Sequence, residues 1–82
     1  MWFVYLLKCS DDTLYCGITN NLEKRISTHN SGKGSKYTKS RTPVSIYYFE
    51  TVEDKSTALK REIQIKKMSR KEKIYLKEKN PL

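Results

Sequence analysis

Trp2-Phe3-Val4-Tyr5-Leu6-Leu7-Lys8-Cys9, then Ser10-Asp11-Asp12, then Thr13-Leu14-Tyr15-Cys16-Gly17-Ile18-Thr19, reads as two strands around a turn. Aromatic and β-branched side chains suit a pleated surface, whereas Ser and Asp favour tight turns, so the order predicts a hairpin. With Ser10 to Asp12 as its loop, Cys9 faces Thr13, Leu7 faces Tyr15 and Tyr5 faces Gly17. Tyr5 and Tyr15 then share one sheet face as diagonal neighbours, roughly 7 to 8 Å apart, and Gly17 leaves space beside Tyr5. A one-residue slip in the loop would put the tyrosines on opposite faces. Strand tyrosines are also ordinary packing residues, so by themselves they mark no site.

Outward from the hairpin, Pro43 discourages helix at Thr42 and introduces a third strand, Val44 to Val52. Asn20 with Glu23 approximates a capping box for a helix through about Asn30, stopped by Gly32 and Gly34. Glu53 or Asp54 begins a longer helix through Met68. Ser69 with Glu72 is a second capping box, opening a last helix that ends before Asn80-Pro81. The expected order is ββαβαα, an α+β chain with three short strands. Residues 31 to 41, Ser-Gly-Lys-Gly-Ser-Lys-Tyr-Thr-Lys-Ser-Arg, are polar throughout and read as a basic loop. With 82 residues and no internal repeat or low-complexity linker, the expectation is a single domain over 1 to 82.

Seventeen Lys and Arg against nine Asp and Glu give a formal charge of +8, a field that attracts polyanions. A basic surface kept for solubility is the bland alternative. Cys9 and Cys16 lie in no CxxC spacing and are expected to be free thiols in a reducing compartment. Residues 2 to 7 are too few for a signal segment or a span, and nothing later reaches the roughly 20 apolar residues that cross a bilayer. The expectation is a soluble, cytoplasmic protein with no membrane partner.

Glu62 is the most informative side chain, because Ala58, Leu59, Ile63 and Ile65 fall on both sides of it on the helix surface. A carboxylate there needs a partner, a cation or a water-filled cleft. An ion pair with Lys66, Lys55 or Arg25 would satisfy it. Arg25 and His29 lie one turn apart beside Leu22 and Ile26, where they either share a cleft or form a solvated helix edge. In a cleft, Arg25 suits a bidentate grip on phosphate and His29 can move a proton near neutral pH. The loop carries Lys33, Lys36, Lys39 and Arg41 around Tyr37, with no acid among them. Spaced cations can neutralise phosphates, with an aromatic to stack on an unpaired base; otherwise this is a solvated loop. Lys60, Arg61, Lys66, Lys67, Arg70, Lys71 and Lys73 add charge further on, in part a solvated face. Zinc-ligand spacing, a phosphate-cradling GxxxxGK[ST] and a Ser nucleophile elbow are all missing, which disfavours those chemistries.

Taken together, the pieces resemble the GIY-YIG nuclease superfamily, in particular its small stand-alone bacterial branch. Val4-Tyr5-Leu6 resembles the GIY element, Tyr15-Cys16-Gly17 the YIG element, and Glu23-Lys24-Arg25 with His29 the helix that follows; Glu62 takes the place of the metal-binding glutamate. The resemblance implies a three-stranded antiparallel sheet flanked by helices, with a metal-dependent phosphodiester cleavage site on one face. It implies that Tyr5 or Tyr15 helps to activate water, and that Arg25 stabilises the charged phosphorane. His29 would assist proton transfer or orient phosphate, and Glu62 would hold Mg2+ or Mn2+. The free tyrosine pKa is about 10, so a tyrosine base needs nearby cations or a metal. The first motif lacks its Gly, Cys16 replaces Ile, and Ile18 stands where some nucleases carry lysine. Asn80 is a candidate for a supporting family asparagine. The expected activity is an endonuclease of low specificity on DNA, more than RNA, in repair or recombination, with a protein partner supplying specificity. The alternative is a non-catalytic module on DNA or structured RNA.

Overall fold

The computed structural model describes residues 1–79. Its elements are β1 (Trp2–Lys8), β2 (Leu14–Thr19), α1 (Leu22–Asn30), α2 (Lys36–Lys39), β3 (Ser45–Val52), α3 (Lys55–Lys66) and α4 (Arg70–Lys79). The strands form one antiparallel sheet in the order β2-β1-β3. This is the expected α+β arrangement with one addition, the short α2 inside the predicted loop.

β1 is the central strand, which explains its continuous apolar run: a strand covered on both faces has no solvent side to make polar. Val4, Leu6 and Leu7 are 0% exposed and Tyr5 is 1% exposed. Full burial of such side chains stabilises the fold by about 1.5–3 kcal/mol each. Alternation then sorts two cores. Val4, Leu6 and Cys16 meet Tyr48 with Ala58 and Ile65 of α3, and Met68 and Leu76 pack beside them. Tyr5, Leu7 and Cys9 meet Val44, with Leu22 and Ile26 of α1 on the opposite face. The hairpin register is the expected one, with Tyr5 opposite Gly17 and Leu7 opposite Tyr15. On the other side Leu6 pairs with Tyr48 and Leu7 with Ile46, so Tyr47 is an extra residue in β3. The bulge resets the alternation, which lets Tyr47 and Tyr48 both serve the α3 side while Ile46 and Phe49 serve the α1 side.

Helix ends follow local chemistry. The cap of α1 is Asn21, whose Oδ1 accepts from Lys24 N at 3.1 Å, one residue later than the expected Asn20. Asp54 caps α3, accepting from Thr57 N at 2.7 Å. Ser69 and Glu72 exchange reciprocal bonds of 3.2 Å, the predicted capping box. Cys9 and Cys16 are free and buried. Among the described residues no helix is long and apolar enough to cross a membrane. Asn80 lies outside them.

Candidate active site

Between α1 and the sheet, four side chains make one hydrogen-bonded line. Arg25 Nε donates to Tyr5 Oη at 3.4 Å, Tyr5 Oη meets His29 Nε2 at 3.0 Å, and His29 Nδ1 meets Thr38 Oγ1 at 2.8 Å. Thr38 Oγ1 donates onward to Ser35 O at 3.4 Å. Thr38 Oγ1 also lies 3.0 Å from Ser35 Oγ, so the line runs on from Arg25, Tyr5, His29 and Thr38 to Ser35. Burial, with Arg25 nearby, pushes the His29 pKa below its ordinary 6.5, which favours the neutral imidazole.

His29 is 0% exposed, so it is not a solvated helix edge. It is the joint that ties α1 to the segment before β3. Burial raises the Tyr5 pKa, against the opposing pull of the Arg25 hydrogen bond and charge. Two glycines make the packing possible. A Cβ on Gly17 would stand 2.5 Å from Tyr5 Oη, and one on Gly34 would collide with the His29 ring. Gly17 thus leaves the space the sequence suggested, and Tyr5 fills it.

Arg25 is held at both ends of its guanidinium, Nε on Tyr5 and Nη2 on Gly34 O at 3.2 Å. It lines a surface depression with Thr19, Asn20, Asn21, Lys24 and Thr28. It also borders a second one with Trp2, Ile18 and Lys55 beside the end of β2. Tyr15 lies half-buried on β2, edge-on to His29 with ring centroids 5.2 Å apart.

The predicted basic loop is ordered around this line. Ser35 caps α2, which buries Thr38 beneath it, and Asn30 clasps Val44 through both backbone groups, at 2.6 and 3.0 Å. Lys33, Lys36 and Lys39 are exposed. Tyr37 is 38% exposed, with Tyr15 stacked on it at 5.8 Å and the Arg41 guanidinium 4.1 Å from its ring centroid. Arg41 is committed as well, to Asp11 at 2.9 Å and Tyr37 O at 2.7 Å. Thr38, Ser35, Gly34 and Asn30 are the contributors that the sequence reading missed. Ser35 followed three residues later by Thr38 was the available signal, a cap pattern inside an apparently featureless stretch.

Glu62 stands apart from this group. It is on α3, across the sheet from Tyr5 and His29, with its side chain 17% exposed and 3.5 Å from Lys66. Leu59 and Ile63, expected to flank it in the core, are 42% and 55% exposed, because α3 buries Ala58 and Ile65. Glu62 nonetheless reaches β2 electrically. With burial as the larger cause, its charge helps to push the Cys16 thiol up to about 11. β2 is an edge strand, with α1, which carries Arg25, packed on one of its faces and α3, which carries Glu62, on the other. Among the described residues no group of three or more His, Cys, Asp or Glu side chains gathers to hold an ion. One carboxylate suits Mg2+ or Mn2+ where water and a substrate phosphate complete the shell. The donor set fits in that sense.

The GIY-YIG catalytic domain matches residues 1–78. The chain belongs to the GIY-YIG family. This nuclease family includes the UPF0213 proteins, to which the chain is similar. One from Syntrophus aciditrophicus is 60% identical over 80 residues, covering 96% of this chain and 92% of that one. Another from Clostridium perfringens is 55% identical over 76 residues, covering 93% and 82%. A solution structure of a UPF0213 protein from Bacillus halodurans, 36% identical, superposes with a TM-score of 0.62 over 98% of this chain and 86% of that one. A second, from E. faecalis, is 42% identical with the same score of 0.62, covering 92% and 81%.

Proposed function

We propose that this GIY-YIG chain is a divalent-metal-dependent endonuclease that hydrolyses DNA phosphodiester bonds with low sequence specificity, in repair or recombination. The observation that carries the reading is the hydrogen-bonded line from Thr38 through His29 and Tyr5 to Arg25, which holds a guanidinium at a surface groove. A fixed Arg offsets charge developing on the non-bridging phosphate oxygens without reorganising during reaction. Tyr5 and His29 are buried, and their part is to hold Arg25 in place. Tyr15, half-buried on the edge strand, is the tyrosine placed to meet water and orient it towards phosphorus. Lys33, Lys36 and Lys39 draw in the backbone. Glu62 would hold Mg2+ or Mn2+, which when bound supplies charge to stabilise the leaving oxygen.

The test is incubation with labelled single-stranded, duplex, flapped and branched DNA and RNA, with and without magnesium or manganese. Metal-dependent cutting is expected, reduced about 100-fold or more in Arg25→Ala, as for loss of a group that stabilises transition-state charge. It should be abolished in Glu62→Ala. One observation favours a second reading, a non-catalytic nucleic-acid-binding module: the Glu62–Lys66 pair on the far side of the sheet. Binding of every substrate with no cleavage in manganese would establish that module and make Glu62 a structural residue.

A further inference from the structure

We infer that the corner between α3 and α4, carrying Lys66 and Lys73, is the second half of a nucleic-acid surface that straddles the free edge of β2 and grips a duplex or junction from both sides. The inference rests on the nucleic-acid reading above and deepens it, since single strands would need only one half.

Three placements carry it. β2 has β1 on one side and no strand on the other. Both flanking segments are pinned to the turn at its start. From one face, Arg41 Nε binds Asp11 at 2.9 Å and Arg41 O accepts from Ser10 N at 2.8 Å. From the other, Arg70 Nη1 donates to Asp12 O at 2.6 Å. Lys33, Lys36 and Lys39 therefore rise beside one face of the hairpin while the start of α4 rises beside the other. Finally, Ile65 near the end of α3 packs with Cys16 in the middle of β2, so Lys66 follows directly beside that strand, and Lys73 lies one helical turn on from Arg70, which is pinned to the hairpin turn.

The charge balance identifies the partner. From Lys60 to Lys73 there are seven cations and two acids. Arg61 is taken by Glu50, and Glu72 by its own helix cap. Of the rest, only Glu62 opposes the field, beside Lys66. An acidic peptide would satisfy one side of the edge. A polyphosphate with two backbones satisfies both.

The experiment measures binding of a labelled duplex by anisotropy across a salt series in EDTA, for wild type, Lys66→Gln/Lys73→Gln, Lys36→Gln/Lys39→Gln and Glu62→Gln. Each double variant should weaken binding about tenfold at fixed salt and lower the log–log salt slope by about 0.9 for each phosphate no longer neutralised. Glu62→Gln should bind severalfold tighter without metal, because it removes a like charge from the path of the phosphates. Wild-type affinity and slope in Lys66→Gln/Lys73→Gln, alongside weakening in Lys36→Gln/Lys39→Gln, would overturn the inference and leave a one-sided surface. A flat salt dependence in wild type, with no effect of any variant, would overturn the nucleic-acid reading as well.

Discussion

His29 shows how much a single buried ring can decide. Replacing it with alanine takes one hydrogen-bond partner each from the buried Tyr5 Oη and Thr38 Oγ1, each loss costing about 1–3 kcal/mol, so His29→Ala should lower stability by several kcal/mol in urea denaturation. Because the folded pKa lies below 6.5, the unfolded chain takes up the proton first. The stability that neutral His29 contributes is complete above 6.5 and is lost as pH falls from there through the folded value. His29→Gln should lack that slope in urea midpoints measured against pH, where wild type shows it. Gly17→Ala, by contrast, drives a methyl against Tyr5 and should cost about 1–3 kcal/mol, with a matching fall in thermal midpoint. Sequence alone placed Arg25, His29 and Tyr5 correctly relative to the helix and hairpin. It could not show that His29 is enclosed, because the groups that enclose it, Thr38 and Gly34, come from a segment whose composition looks like solvent.

At the scale of elements, the second sheet face depends on how α3 is fastened to β3. Arg61 Nε and Nη2 meet the two oxygens of Glu50 at 2.8 and 2.9 Å, and Tyr48 Oη donates to the same carboxylate. Burial acts to raise the Glu50 pKa, but the hydrogen bonds from Arg61 and Tyr48 with the Arg61 charge overcome it and hold the value below 4.5. A depressed carboxylate pKa stabilises the fold above its unfolded value, so this contribution is lost as pH falls below 4.5 and through the lower folded value. Glu50→Gln should flatten the acid limb of stability between those values in acid titration followed by circular dichroism, and loosen α3 before the α1 side. Helix ends were the most legible feature, since capping is a local interaction: the Ser69–Glu72 box formed where expected, and Asn21 displaced Asn20 by one residue. α2 was missed because four residues carry no hydrophobic period. The face of α3 was misjudged because Leu59 and Ile63 are apolar but point away from the sheet.

For the whole molecule, the hairpin register was readable on the condition that Ser10 to Asp12 form the loop, whereas the central place of β1 in the sheet emerges only from the structure. The distribution of charge was not readable, since sequence gives the +8 total but not which cations share an edge. Cleavage rate should therefore fall steeply with added salt, and more steeply for duplex than for single strands, in initial-rate assays at fixed metal. The open edge of β2 has a further consequence. An unpaired strand is a template for another copy of itself, and natural proteins guard such edges with lysines. Here the guard and the proposed grip on nucleic acid are the same side chains. The protein should sediment as a monomer in dilute buffer and self-associate near 1 M salt, where the screening length shrinks to about 3 Å. Lys66→Gln/Lys73→Gln should do so at lower salt, so that selection for binding and selection against self-pairing act on one set of residues.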